Sequence, residues 1–588
     1  MIKYLLALLL IFPAMGLADT HYVGKTNAAN TGTCTNQATP CATIAYGISQ
    51  MAGGDTLIVG NGTYTTTNDV IRDPPNGSAG AYTTVQAETD FGVLLDGTSW
   101  GNSSWVYGLR LDGRSYVKIQ GFRINAAQND TGGPSFIGSG SHHIKIIKCG
   151  FWNGPVDGNG EITGVGDSSG SDANYILFED CYAFGGSRAG FTAYWSNHVI
   201  FRRCIARPDY YHFDLQTSGF CNYDSEATVY QNNIVVDMAG GSATSPSLQV
   251  YSPFFFENKS DHEPNTSIEM HGNIVINNSS YYGAVYDQVP ADTRVFRDNI
   301  LWGNSGGFQA GDYQNGETFY PPTYDIQRLT SGANNRPYDH WNDNFDHNAT
   351  YAGGDGLAGA GTGMSIILNR TNTVTNSLFY GNQSYGAADY ITSNYNAFYG
   401  NGANFGGLHT SSAGANDITT HNILYHPTTN PTGSLKYLPR GAEDGSTLAT
   451  AGSSGGRVGA QVLWKIGVDG TLYGETGWDT VRSPENGYGG AEDRLWPFPN
   501  EAQIKSDMAS YSGAGLSGAR GFAASGTQLD GTSQITLSSY IWEYLGNQMP
   551  DDLYGDAEPP APGNLMQPVR QTGGTGVSRI SGGMTVGQ

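Results

Sequence analysis

Short apolar alternations, not long amphipathic stretches, set the rhythm of this chain. Residues 144–149 (IKIIKC), 176–181 (ILFEDC) and 199–204 (VIFRRC) share one pattern, and 228–233 (TVYQNN), 268–273 (IEMHGN) and 294–299 (RVFRDN) repeat it. Each has an apolar residue three places before a Cys or Asn, and most have another five places before. Apolar residues follow at one and three places after it: Ile234 and Val236, Ile274 and Ile276, Ile300 and Trp302. Fainter copies end at Asn396 and Asn422. The pattern predicts two short strands per repeat, joined by a tight bend that holds the Cys or Asn at a fixed place.

The intervals between successive copies are unequal, which is what solenoid rungs do when their loops differ in length around a constant core motif. Rungs stacked about 4.8 Å apart bring equivalent residues into register along the axis. An Asn column can then pass side-chain hydrogen bonds from rung to rung and satisfy buried amides. Cys149, Cys181 and Cys204 read as the same column written in small thiols, buried and inert although adjacent rungs lie within disulfide reach. The polar pairs before the column (Glu179-Asp180, Arg202-Arg203, Arg297-Asp298) read as solvated, mutually compensating charges. His142 and His143 precede a strand, where successive side chains face opposite ways, so joint ligation by the two is not expected.

At the front of the solenoid, residues 42–64 (ATIAYGISQMAGGDTLIVGNGTY) read as a short helix, a Gly-Gly-Asp turn and a strand. Thr43 is placed to cap that helix, and Ile44, Ile48 and Met51 form its apolar stripe. This segment resembles the N-terminal cap and first strand of the pectate-lyase-like right-handed β-helix proteins, and with the Asn-column rungs the resemblance covers roughly residues 30–430. It implies an all-β fold, a right-handed parallel β-helix with a short N-terminal capping helix. That superfamily holds polysaccharide lyases, glycoside hydrolases and epimerases beside many members without a known activity, so fold alone does not name a reaction. The expected organisation is a signal peptide over 1–18, N-terminal cap and first rungs over 19–100, and the parallel β-helix over 101–430. A small mixed C-terminal module follows over 431–557, then a flexible tail over 558–588. In that module Asn500 and Gln503 suggest a capping box, and a second helix is expected from Thr536 to a stop at Gly546. LWPFPNE and YIWEYLGN look similar to closing segments behind exported β-helices, and are expected to pack on the final rungs.

Composition agrees with many tight turns and short strands: 83 Gly in 588 residues, 12% aromatic and 14% charged. Lys3, an apolar run too short to span a bilayer, and small residues Gly16 and Ala18 predict a cleaved leader and a secreted or cell-surface protein without an integral membrane segment. Among six cysteines, Cys34 and Cys41 flank a short loop and are the expected disulfide. The net charge of −23, from 29 Lys+Arg against 52 Asp+Glu, disfavours nucleic acid and anionic membranes. It also repels an acidic polysaccharide unless a local basic cleft or bound cation intervenes.

Solenoid enzymes build sites from long loops of neighbouring rungs, and three such loops are expected at 207–226, 252–266 and 281–292. They offer Lys259 or His212 as a base, Tyr210, Tyr223, Tyr286 and Asp287 as glycan contacts, and Asp209, Asp214, Asp224 and Asp261 as ligands for calcium (Ca2+). Cys221 is expected to pin the first loop to a neighbouring rung. This set suits eliminative cleavage of a uronate polysaccharide or a cell-surface glycan, and hydrolysis by paired carboxylates next. The rival reading is a non-catalytic adhesin, matrix or surface-structural solenoid; a phage-type tail spike fits poorly with a leader. A second cluster, Asp339-His340, Asp343 and Asp346-His347, is dense in hard ligands but matches no EF-hand or zinc spacing.

Overall fold

The structure, a computed structural model, describes residues 18–100, 106–126, 133–154, 161–167, 172–186, 188–209, 217–238, 252–257, 267–278, 283–287, 293–304, 306–310, 323–332, 362, 364–366, 372–382, 384–407, 411–419, 447–513, 516–523 and 536–544. Residues 1–17 of the expected leader, the expected tail over 558–588 and the Asp339–His347 cluster lie outside the described residues.

Three long parallel sheets run the length of the molecule, one of 13 strands and two of 12. The chain visits them in turn. Strand His142–Ile147 belongs to sheet A, Gly150–Trp152 to sheet B and Thr163–Val165 to sheet C, before Ala173–Glu179 returns to sheet A. This is a right-handed parallel β-helix, the hand that parallel crossovers overwhelmingly adopt. Each rung therefore carries three strands, where the repeat predicts two. The third strands, Ser218–Tyr223, Phe254–Glu257 and Val285–Asp287, occupy the stretches expected to be loops. A strand of three to six residues is too short to display a period of two.

The interior is filled by columns such as Ile144, Ile176 and Val199 from sheet A, Phe151, Ala183 and Ala206 from sheet B, and Phe191, Phe220 and Phe254 from sheet C. The polar column at the A-to-B bend forms from Cys149 to Asn299 and again from Ser377 onward, with Leu329 in its place between them. Asn233 N donates to Asn273 Oδ1 at 2.9 Å and Asn273 N to Asn299 Oδ1 at 2.9 Å. The thiols occupy the same column, with Cys149 N 3.4 Å from Cys181 Sγ and Cys204 N bonded to Asn233 Oδ1 at 2.8 Å. Farther along, Asn396 N donates to Asp417 Oδ1 at 2.8 Å, and Asn422 lies outside the described residues.

Helix α1 (Ile44–Ser49) starts at Thr43, whose hydroxyl accepts from Tyr46 N, and packs Ile44, Gly47 and Ile48 against the strands Thr20–Val23 and Thr56–Val59. A Cβ on Gly47 would stand 2.7 Å from Val23 Cγ2, so the close approach requires glycine here. Asp55 of the turn ties the start of the chain down, accepting from Asp19 N at 2.8 Å, Ala52 N at 2.7 Å and His21 Nε2 at 3.1 Å. Cys34 and Cys41 are joined by a disulfide beside it.

The C-terminal segment is not confined to the final rungs. It runs back along the side of the solenoid as a strap: Ser453 meets Asn376, Ala460 meets Thr330, Ile466 meets Asn232, and Asp507 reaches Arg123 and Tyr182. Sheet B explains why. Its inward residues are Val235, Val275 and Leu301, whereas Ile234, Val236, Ile274, Ile276, Ile300 and Trp302 point outward and are buried against Leu463, Trp496, Met508 and Ile541 of the strap. A sheet buried on both faces reads as a continuous apolar run. The same strap corrects the polar pairs. Arg202 and Arg203 are 0% exposed and Glu179 2%, compensating one another as expected but beneath residues 466–478 and not in solvent. Helix α2 (Glu501–Ser510) has Asn500 at its N-cap with φ +60° and no side-chain cap bond, and Gln503 turns instead to Asp507 at 3.0 Å. Helix α3 (Leu537–Tyr544) follows, its Tyr540 hydroxyl bonded to Asp237 of the solenoid.

Candidate active site: the outer face of sheet C

Strap side chains bury the outward residues of sheet B and, through Leu472, the outward Leu177, Ile200 and Val229 of sheet A. The strap does not cross the outer face of sheet C among the described residues, although the outward Thr192, Cys221, Phe255, Glu257 and Tyr286 are each 5% exposed or less. Its outward positions follow from register: Leu109, Ile137, Phe191 and Phe220 face the core, so Arg110, Phe136, Thr192 and Cys221 face out, followed two places on by Tyr194, Tyr223 and Glu257.

Aromatic and charged groups interleave on this face. Tyr107 and Phe136 stack with centroids 5.4 Å apart, and the Arg110 guanidinium lies 5.4 and 5.7 Å from those rings while its Nε bonds Asp112 Oδ2 at 2.6 Å. Beside them is a shallow cavity of about 460 Å³ lined by Thr67, Val70, Arg72, Asp73, Tyr107 and Arg110. Farther along, Arg188 lies over the Tyr223 ring at 5.7 Å, Tyr223 meets Tyr194 edge-on at 5.1 Å, and Trp195 Nε1 donates to Asp224 Oδ2 at 3.2 Å.

The acid–base character of the face follows from burial and these neighbours. Burial pushes the Glu161 carboxyl above the usual carboxylate range, with Arg188 pulling the other way. Tyr107 is pushed up to about 12 by burial and by the Glu161 charge. Cys221 is pushed up to about 12 by burial, with Arg188 opposing and Glu257 and Glu161 adding. Tyr107, Glu161, Arg188, Cys221 and Glu257 thus sense one another across several rungs. Cys221 lies within a strand of sheet C, 4% exposed, and pins no loop.

Of the residues singled out from sequence, Lys259, His212, Tyr210, Asp214 and Asp261 lie outside the described residues. Tyr223 and Asp224 lie on this face or at its edge. Tyr286 is 2% exposed and Asp287 0%; Asp287 occupies an inward register position with Phe256 and accepts from Arg294 Nε at 3.0 Å. That closed interior pair does not reach a groove ligand. Asp209 is equally committed: it is 0% exposed, pairs with Arg207 Nε at 2.9 Å and with Arg520 of the strap, and accepts from Gly185 N. Asp209 therefore sits on the strap side and Asp224 on the sheet C side, so the two do not fit a shared calcium. Among the described residues no three His, Cys, Asp or Glu gather as a metal site. His142 and His143 also depart from expectation. His143 has φ +55°, which breaks the alternation of the strand and brings its Nδ1 to 3.0 Å from His142 Nδ1.

Sequence reading passed over Glu161, Arg188, Tyr107 and Arg110 because each stands alone in a Gly-rich stretch. Only the register between rungs unites them. The one available signal was the scarcity of Arg and Lys, which makes three arginines (Arg72, Arg110, Arg188) near one sheet face notable in so acidic a chain.

No family model matches the chain, and no curated protein matches it in sequence. Solved structures resemble it in fold. A rhamnogalacturonan lyase shares 13% identity over 53% of this chain and 82% of its own, with a TM-score of 0.42. A pectate lyase shares 13% over 76% and 97%, at 0.40. The A-module of a mannuronan C-5 epimerase from Azotobacter vinelandii shares 12% over 64% and 93%, at 0.38. The chain's own three long parallel sheets make it a right-handed parallel β-helix.

Proposed function

We propose that this is a secreted, carbohydrate-active β-helix protein that binds a polysaccharide along the outer face of sheet C and cleaves it by elimination. The observation that carries the proposal is the row of Arg110, Tyr107, Glu161, Arg188 and Tyr223 on the sheet face that the strap does not cross. Ring faces suit sugar stacking, and arginine forks suit the carboxylate of a uronate. The resemblance stated from the sequence, the leader and the Cys34–Cys41 disulfide support export.

In an elimination a base takes the C5 proton of a uronate. The electron pair becomes the C4–C5 double bond, and the C4–O bond breaks, its oxygen leaving with a proton. Lys259 or His212 would be the base, and Arg188 would face the substrate carboxylate. One observation favours hydrolysis as the second reading: burial raises the proton affinity of the Glu161 carboxyl, the direction a general acid needs.

The test is incubation of the mature protein with a panel of uronate polysaccharides, with calcium and with chelator, following ultraviolet absorbance of the unsaturated product. A rise abolished by Lys259→Ala or His212→Ala and weakened by Arg188→Gln supports elimination. New reducing ends without that absorbance, lost in Glu161→Gln, support hydrolysis. Binding without either product moves the protein to the adhesin or matrix reading.

A further inference from the structure

Away from sheet C, the outer face of sheet A carries two lysines side by side. Lys118 and Lys145 are register partners on adjacent rungs, both outward because Val117, Ile119, Ile144 and Ile146 fill the interior. Both are half-buried, the Lys145 side chain to 17% exposure. A trough forms around them. On one side runs a ladder of rings, Tyr116 on His143 at 4.6 Å, His143 on Tyr175 at 4.8 Å and Tyr175 on His198 at 4.6 Å. Tyr82 closes one end, edge-on to Tyr116 at 5.6 Å and 4.7 Å from Lys145 Nζ. The strap closes the other end with Tyr473, against His198 at 4.6 Å, and Glu475.

The charges in this trough do not balance. Glu475 is 3.9 Å from Lys145 Nζ and 45% exposed, the weak limit of an ion pair. Asp90 is taken by Lys148 at 2.7 Å. Glu179 is taken by Arg202 and the Gly470 amide. Among the described residues Lys118 has no ion pair. Burial lowers the affinity of both amines for their protons, against Asp90 at Lys118 and against Glu475 and Glu179 at Lys145, where the Lys118 charge lowers it further; an interposed anion relieves that situation. Compact ammonium groups on adjacent rungs suit an oxyanion, whose charge sits on two or more oxygens.

We propose that Lys118 and Lys145 form an oxyanion-binding site on the outer face of sheet A, taking a carboxylate or sulfate group between their Nζ atoms. The site is independent of the sheet C reading: it lies on a different sheet and shares no residue with it. It would serve as an anchoring point for an acidic saccharide or hold a free anion that neutralises the trough.

Brief acylation of the full-length mature protein with an amine-reactive ester, followed by peptide mass mapping, reads each lysine separately. Sodium sulfate or sodium galacturonate is expected to slow acylation of Lys118 and Lys145 severalfold, while exposed Lys25 stays unchanged and sodium chloride at equal ionic strength has no effect. Protection by both probes identifies a general oxyanion site, and protection by galacturonate alone identifies a saccharide carboxylate as the source. In Lys145→Gln, checked for native circular dichroism, protection of Lys118 should vanish. Protection at neither lysine, equal slowing at every lysine, or undiminished protection of Lys118 in Lys145→Gln would overturn the proposal.

Discussion

Arg202 offers the sharpest test of how the strap is held. Its guanidinium, 0% exposed, donates to Glu179 Oε2 at 2.9 Å and to the strap carbonyls of Val468 at 2.9 Å and Trp478 at 2.8 Å, while Nε donates to Gln231 Oε1 at 2.8 Å. Arg202→Met keeps the stem and removes those bonds. Breaking a buried pair by removing one partner costs about 3–5 kcal/mol. Glu179 would retain Arg203 Nη2 at 3.2 Å and Gly470 N at 3.0 Å, so the lower end applies. About 3 kcal/mol is roughly a hundredfold in the equilibrium for local opening, at about 1.4 kcal/mol per tenfold. In so long a chain a single unfolding midpoint averages over much else, so the assay is amide hydrogen exchange. The amides of Val468, Gly470 and Leu472, which donate to Gly477 O, Glu179 and Glu475, should exchange about a hundredfold faster while the interior columns do not change. Adding Glu179→Leu to Arg202→Met should recover much of the loss, because neither buried charge then remains unpaired. Acceleration by less than about threefold, or a double variant no better than the single, would refute the view that this network seats the strap.

Other predictions follow from the same bonding. Burial works against ionisation of Asp55, yet the Ala52 and Asp19 amides and His21 hold its carboxyl below the usual value. Its contribution is therefore present above the unfolded carboxylate range and lost as pH falls through the lowered value; Asp55→Asn should cost about 1–3 kcal/mol near neutrality and little in acid, read from thermal midpoints across pH. Glu161 has the opposite sign: a raised carboxyl loses stability as pH climbs from its unfolded toward its folded value, so Glu161→Gln should raise the midpoint near neutrality and leave it unchanged in acid. At the bend column, Cys204→Asn should fold with an unchanged or higher midpoint, whereas Cys204→Leu should lower it, each new amide bond adding about 1 kcal/mol.

What could be read in the sequence was what repeats within a few residues of a fixed marker. The Cys/Asn column, the helix ahead of Asp55 and the strands of sheets A and B stand at constant offsets from one another, so their period survives unequal loops. Sheet C does not. Its strands begin at variable distances after sheet B, and Phe254–Glu257 and Val285–Asp287 looked like loops rich in rings and charge. Counting ionisable residues within loops also drew in side chains with other roles: Asp287 turns inward to Arg294, and Asp209 is held by Arg207 and Arg520. The strap was misread because apolar residues at both outward positions of sheet B pass for core until a partner some two hundred residues away is known to lie on them.

The column itself shows what the fold selects at that position. Asn233, Asn273 and Asn299 each send Nδ2 to a carbonyl of the preceding rung, Phe201 O at 2.8 Å, Tyr230 O at 2.9 Å and Met270 O at 2.9 Å. Cys181 and Cys204 direct Sγ to the equivalent carbonyls, Ile146 O and Phe178 O, each at 3.5 Å. A thiol is a weaker donor than an amide, but it fits the same volume and satisfies the same acceptor. A small side chain that donates backward along the axis recurs here, while Ser377 Oγ accepts from Leu329 N at 3.0 Å and Leu329 holds its own place in the column with an apolar side chain. Cys, Asn and Ser can therefore alternate along one column without interrupting the solenoid.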